Sequence, residues 1–142
     1  MKKAALFFLL AIVVCPLAQS RECSKEKAEA AENAVDNLKT WAAVYESYRN
    51  YLPCDEGSIG EGYSEAIIRL LADRWSELPA LDALGKRSAS FERWVLSHID
   101  STPGSDDLQK VSDTAKTQCP SGHTALCEKI AAAAASKVIN EG

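Results

Sequence analysis

The chain has 142 residues, of which 46% are hydrophobic and 25% are charged. This length fits one compact domain and is too short for a Rossmann or TIM-barrel enzyme. The 16 Lys and Arg residues against 20 Asp and Glu residues give a formal net charge of -4. This balance argues against a nucleic-acid-binding protein, because such proteins carry a basic face or tail.

The first 20 residues have the three parts of a secretory signal peptide. Lys2 and Lys3 precede an apolar run over residues 4–14, and Ala18 and Ser20 stand at the −3 and −1 positions of a cleavage site. The run is shorter than the ~20 residues that span a bilayer, which favours cleavage over a permanent anchor. We therefore predict a bacterial signal peptide over residues 1–20 and one helical domain over residues 21–142. The predicted location is periplasmic or secreted, and an integral membrane protein is not expected.

Removal of residues 1–20 changes the formal net charge to −6, because it removes two lysines and no acidic residue. Anionic lipid headgroups repel an acidic domain, so we expect neither a membrane surface nor nucleic acid as a partner. Cys15 leaves one alternative open, a lipoprotein with an acylated cysteine. The bulky Val14 in front of Cys15 disfavours that processing.

The rest of the chain has the pattern of an all-α domain. Residues 24–51 contain no Gly or Pro, and apolar residues recur there at steps of three and four. This pattern predicts one uninterrupted first helix that ends before Pro53. Further helices are predicted over residues 63–77, 80–84, 91–99, 106–117 and 124–138. No segment has the alternation of a strand. We predict a compact bundle of five or six helices with a long first helix.

Four cysteines lie outside the predicted signal peptide: Cys23, Cys54, Cys119 and Cys127. An oxidising compartment favours disulfides. A straight helix over residues 24–51 spans about 42 Å, whereas a disulfide needs Cα atoms within about 7 Å, so a bond between Cys23 and Cys54 is excluded. We predict a bond between Cys119 and Cys127, and a bond from Cys54 to either of them stays open. The partner of Cys23 is left open.

The spacing of Cys119, His123 and Cys127 also fits a set of zinc ligands, which is a weaker alternative. Export favours oxidation of the two cysteines over capture of a metal ion. We therefore predict no metal and no cofactor.

An acidic cluster surrounds a Gly-rich segment after the first predicted helix: Asp55, Glu56, Glu61 and Glu65. Such carboxylates can bind Ca²⁺ or act as acid and base. Their spacing does not fit an EF-hand, and we predict that they face solvent near the start of the next helix. Ser64 lies in an incomplete nucleophile-elbow motif, and His98 is expected to be a partly buried, hydrogen-bonded residue. No catalytic residue is predicted.

Four aromatic residues crowd one side of the first predicted helix: Trp41, Tyr45, Tyr48 and Tyr51. Four aromatic side chains within eleven residues exceed what one helical stripe can bury. Tyr and Trp are common anchors of protein interfaces. These four residues are therefore the predicted partner-binding residues.

Together these features predict an exported, acidic, helical binding protein whose partner is another protein. In export signal, size, helical class and small number of disulfides, the chain resembles small helical periplasmic immunity proteins, which neutralise cell-wall-degrading effectors of secretion systems. The resemblance is limited to overall architecture, so it assigns no role to any individual residue of this chain. It implies an inhibitor of a protein partner. Two alternatives stay open, a structural or housekeeping protein of the envelope and a small hydrolase that uses the acidic Gly-rich segment. The oligomeric state is left open.

Overall fold

The computed structural model describes residues 22–100 and 104–138. These residues form helices and connecting turns without any strand, which confirms the predicted all-α class. There are seven α-helices in this part of the chain: α1 (Lys25–Val35), α2 (Trp41–Tyr51), α3 (Gly57–Asp73), α4 (Leu78–Arg87), α5 (Ala89–Ser97), α6 (Ser105–Thr117) and α7 (Thr124–Val138). Short 3-10 helices occupy Leu52–Cys54 and Trp75–Glu77. The predicted signal peptide, with Cys15, lies outside the described residues.

The prediction of one uninterrupted first helix is wrong, because the chain turns between α1 and α2. Asp36 ends α1, and the side chain of Thr40 accepts a hydrogen bond from the backbone N–H of Ala43 at the start of α2. Short polar side chains favour helix ends over helix interiors, since they compete for backbone hydrogen bonds. The turn also buries Leu38 in the core. This break accounts for the seventh helix.

The same turn brings together two cysteines that the straight helix would have kept apart. The structure joins Cys23 to Cys54 with their Cα atoms 4.9 Å apart, so the exclusion of this pairing is wrong. Because α1 and α2 fold back on each other, the start of α1 lies beside the end of α2. Cys119 is bonded to Cys127 with a Cα separation of 6.0 Å, and this is the pairing that the sequence analysis preferred.

Helix α3 lies at the centre of the packing and contacts α1, α2 and α6. Its buried side chains point in several directions: Ile59, Tyr63, Ser64, Ala66, Ile67, Ile68, Leu70 and Leu71. Gly62 permits a close approach of α1, because a Cβ atom at this position would overlap the side chain of Val35. Helix α3 begins at Gly57, so the Gly-rich segment after Asp55 is its first turns and not a loop.

The second half of the fold packs α6 against α7 and α4 against α5. Leu108 and Val111 of α6 and Ile130 of α7 are fully buried. The bond between Cys119 and Cys127 closes the turn between α6 and α7. Among the described residues, no helix combines the length and the apolar character needed to cross a membrane.

Candidate functional site

An open groove of about 630 Å³ lies between the start of α1 and the end of α2. We call it the tyrosine groove, and seven residues line it: Lys27, Tyr48, Arg49, Asn50, Tyr51, Leu52 and Pro53. Leu52 is 43% exposed and is the only exposed large hydrophobic residue in the described ranges. The groove therefore combines an accessible apolar side chain with two tyrosines and two cations.

Three of the four predicted partner-binding residues lie in or beside the tyrosine groove. Tyr48 and Tyr51 line it, and Tyr45 lies next to it, where the guanidinium groups of Arg49 and Arg87 are each 5.9 Å from its ring centre. Trp41 is only 1% exposed, so its assignment to a partner surface is wrong. It is the first residue of α2 and faces the core, because the break before Thr40 changes which side of the helix is buried.

The floor of the tyrosine groove is held in place by aromatic packing. The ring of Tyr48 lies 5.3 Å from that of Phe91 and 5.1 Å from that of Trp94, measured between centroids. Its hydroxyl donates a hydrogen bond to Ser90 Oγ at 3.0 Å. Such contacts between aromatic rings contribute about 0.5–1.5 kcal/mol each beyond their buried area. Tyr48 therefore keeps one position and presents only part of its ring to the groove.

The acidic cluster divides into one inward-facing residue and three exposed ones. Asp55 is half-buried, and its Oδ2 accepts hydrogen bonds from Trp94 Nε1 at 2.6 Å and from His98 Nε2 at 2.9 Å. Glu56, Glu61 and Glu65 are exposed, as the sequence predicted. Asp55, Glu56 and Glu61 line one groove, whereas Glu65 lies at another. The prediction that all four face solvent is wrong for Asp55, because its carboxylate turns inward to Trp94 and His98.

Asp55 is the first member of a partly buried chain of hydrogen bonds that sequence reasoning missed. His98, 9% exposed, contacts Asp55 through Nε2 and places Nδ1 2.9 Å from Oγ of Ser64. The hydroxyl of Ser64 donates to Asp100 Oδ2 at 2.7 Å. The four residues link the start of α3 to the end of α5, and we call them the His98 network.

Ser64 and His98 each contact two partners in the His98 network. The Ser64 hydroxyl lies between Asp100 Oδ2, to which it donates, and Nδ1 of His98. On the other side of the imidazole ring, Nε2 lies within hydrogen-bonding distance of the Asp55 carboxylate. The imidazole of His98 therefore bridges the segment before α3 and the middle of α3.

The hydrogen bonds of Asp55 outweigh the cost of its burial. Burial alone raises the pKa of this carboxyl, but the donors His98 and Trp94 favour the ionised form more strongly. The pKa of Asp55 therefore lies below its ordinary value. The carboxylate therefore holds the indole of Trp94 and the imidazole of His98 through its hydrogen bonds to both.

The distances in the His98 network are those of a nucleophilic triad, but the surroundings differ. In a triad the serine hydroxyl donates to the histidine and is open to the substrate. Here Ser64 is 2% exposed within α3, and its hydroxyl donates to Asp100 instead. A second groove of about 430 Å³ is lined by all four residues of the network. The described arrangement therefore connects α3 to α5 and does not present a free nucleophile.

A second histidine forms a similar, smaller cluster. Nδ1 of His123 lies 2.7 Å from Oδ2 of Asp82, which also accepts from Lys86 Nζ at 2.6 Å. Burial raises the pKa of Asp82, but the hydrogen bonds from Lys86 and His123 lower it below its ordinary value. The sulfur atoms of Cys119 and Cys127 are bonded to each other, so they are not zinc ligands in this structure. No cluster of three or more metal-binding side chains occurs in residues 22–100 or 104–138.

The sequence contains only weak signals for the His98 network. Ser64 and His98 lie 34 residues apart in sequence, and no spacing rule relates residues at that separation. Trp94 lies one helical turn before His98, and both contact the same carboxylate, which is a helix-face pattern visible only once the position of Asp55 is known.

Comparison of the chain with protein-family models, with curated proteins and with solved structures finds no match.

Proposed function

We propose that this protein is exported and acts as a small binding protein that holds a polypeptide partner in the tyrosine groove. The observation that carries the proposal is an open groove that presents Tyr48, Tyr51 and Arg49 beside the exposed Leu52. Tyrosine and arginine are enriched among the residues that anchor protein interfaces. The remaining large apolar side chains of the described chain pack into or against the core.

The groove is preorganised by the disulfide between Cys23 and Cys54. Lys27 belongs to α1, whereas residues 48–53 belong to the end of α2 and the following 3-10 helix. The bond fixes the start of α1 to the residue directly after Pro53. A surface fixed before binding loses less conformational entropy when the partner arrives, which favours affinity.

Two disulfides also support the proposed location. Such bonds form and persist in oxidising compartments, of which the bacterial periplasm is one. Together with the signal peptide predicted over residues 1–20, they support export to the periplasm. We propose that the protein there inhibits the partner it binds, as the resemblance to immunity proteins in outline implies.

Site-specific photo-cross-linking tests this proposal. A benzophenone amino acid replaces Leu52 in the full chain, which is expressed with its own N-terminal segment in the cells it comes from. We expect a discrete covalent adduct with one polypeptide, identified by mass spectrometry. The matched control places the same amino acid at Ala125, an exposed residue at the start of α7.

The second part of the test asks whether the groove is needed for capture. Leu52→Asp places a charge on an already exposed side chain, so the fold is expected to keep its melting temperature, while the yield of adduct from a cross-linker at Asn50 falls at least tenfold. Equal adducts at Leu52 and Ala125, or many unrelated envelope proteins in the adducts, would contradict the proposal and favour a structural envelope protein.

A small hydrolase is a second candidate, and one observation favours it. Ser64 contacts His98, which contacts Asp55 of the acidic segment, at distances of 2.9 Å each. A fluorophosphonate probe, which reacts with activated serines, tests this candidate directly. If the probe labels the native protein and Ser64→Ala abolishes the labelling, Ser64 is a nucleophile. If the native protein is not labelled, the hydrolase candidate is rejected and binding is the remaining proposal.

A further inference from the structure

The cations of the tyrosine groove are not balanced by acidic residues in its lining. Lys27 and Arg49 contribute two positive charges, and none of the seven lining residues is Asp or Glu. Lys27 makes no ion pair with any described residue. The formal net charge of the chain is -4, so this groove is locally opposite in sign to the protein as a whole.

The positive charge continues past the groove along Tyr45. Arg49 and Arg87 both place their guanidinium carbon 5.9 Å from the centre of this ring. Glu46 lies 3.6 Å from Arg49, but both side chains are about 60% exposed, and exposed pairs of this kind contribute little. We call Lys27, Arg49 and Arg87 the basic strip, and among the described residues only Arg49 of these three makes an ion pair.

We infer that the tyrosine groove and the basic strip together bind an acidic polypeptide segment that carries an apolar side chain. The acidic groups of the segment would face the basic strip, and its apolar side chain would contact Leu52 and Tyr51. This inference rests on the proposed function, since it names the chemistry of the partner that the groove holds.

A polypeptide fits these features better than other polyanions do. Nucleic acid and anionic membranes present charge over a long or wide surface, and the net negative charge of this protein repels them. A peptide segment is narrow enough to meet a short strip alone. The exposed Leu52 adds an apolar contact, which a phosphate backbone would not use.

Fluorescence polarisation with synthetic peptides tests the inference on the purified, disulfide-bonded protein. The probe is a labelled decapeptide of Glu, Gly and Leu, and two matched peptides replace all Glu by Lys or all Leu by Ser. We expect saturable binding of the Glu-Leu peptide, which weakens as the salt concentration rises. The Lys peptide should not bind, and the peptide without Leu should bind more weakly.

Charge reversal on the protein locates the binding surface. Lys27→Glu and Arg49→Glu are each expected to weaken the Glu-Leu peptide by about fivefold to tenfold, since each turns an attraction into a repulsion. Lys116→Glu makes the same change of charge on an exposed residue of α6 outside the groove, and should leave affinity unchanged. Unchanged melting temperatures show that each variant is folded.

The outcomes separate this inference from the proposed function. Equal binding of the Glu and Lys peptides, or equal effects of all three charge reversals, overturns the inference. So does binding to phosphatidylglycerol vesicles or to an oligonucleotide that Lys27→Glu abolishes. In each case a discrete adduct at Leu52 would still support the proposed function, whereas failure of both experiments removes the groove as a binding surface.

Discussion

Removal of the two disulfides one at a time tests the folding-back of α1 and α2. The bond from Cys23 to Cys54 closes a loop with a sequence separation of 31, and the bond from Cys119 to Cys127 one of 8. Loop-closure entropy predicts a loss of about 3.7 kcal/mol for the long loop and about 2.5 kcal/mol for the short one. The long loop should therefore cost about 1.2 kcal/mol more, because its closure restricts the unfolded chain further.

The two pairs are well matched as controls for each other. Cys54 and Cys127 are both buried, whereas Cys23 is exposed and Cys119 is partly exposed. Replacing each pair by alanines therefore removes one buried sulfur in both variants. The cost of removing the sulfur atoms is therefore similar in the two variants. The difference between their free energies of unfolding reports the difference in loop-closure entropy.

Urea unfolding of both double variants and the wild type, followed by circular dichroism, measures the free energy of unfolding. Before these measurements, a peptide map of the non-reduced wild type must show that Cys23 is linked to Cys54. A larger loss from the short loop than from the long one would refute the reasoning, and a map that links Cys54 to Cys119 or Cys127 would refute the fold of the first two helices.

Three further predictions concern the core and pH. Gly62→Ala should destabilise the protein by about 1–3 kcal/mol in urea unfolding, because the new Cβ overlaps Val35, and Val35→Ala in the same chain should recover part of the loss. Tyr63→Phe should cost about 1–3 kcal/mol, since its hydroxyl is 2.9 Å from the buried Ser47 Oγ; an unchanged midpoint would contradict this. The lowered pKa of Asp55 means that its contribution is present above the ordinary pKa and is lost as the pH falls below about 4. Asp55→Asn should therefore flatten the acid side of a plot of unfolding free energy against pH, and a parallel curve would refute the assignment.

The helical class and most helix positions could be predicted from the sequence, because they depend on local patterns. The helices predicted over residues 106–117 and 124–138 match α6 and α7 within one residue. Gly104 and the turn around Pro120 separate them from their neighbours. Gly104 has φ +108°, a conformation that favours glycine, so a glycine in the sequence indicates where α6 starts.

The break of the first predicted helix depends on a choice that local pattern does not settle. The apolar spacing continues through Val35 and Leu38, so periodicity alone favours one helix. Asp36, Asn37 and Thr40 are signals for helix ends, but tertiary packing decides whether such signals act. Here the burial of Leu38 and the bond of Cys23 both require the turn. Cys23 and Cys54 would be too far apart to bond only if residues 24–51 formed one straight helix, and the turn removes that condition.

The tyrosine groove could be predicted in part and the His98 network could not. The sequence predicts tyrosines near the surface, because this segment carries more aromatic side chains than one helical stripe can bury, and Tyr48 and Tyr51 line the groove. Lys27 joins them only because α1 folds back, which the straight helix did not permit. The contacts of the His98 network span 34 to 43 residues of sequence, so they follow from how α3 and α5 pack.

Asp55 connects the tyrosine groove to the His98 network, and its role would differ between the two candidate functions. Asp55 comes directly after Cys54, so the disulfide that closes the tyrosine groove also fixes the residue that meets His98. A carboxylate that receives hydrogen bonds from Trp94 and His98 stabilises the fold between α3 and α5. A hydrolase would need the same carboxylate to support a transient charge on His98 next to an accessible hydroxyl. In this structure the Ser64 hydroxyl is buried and donates to Asp100, so a hydrolase would require this hydroxyl to turn towards His98 and become accessible from the groove that the network lines.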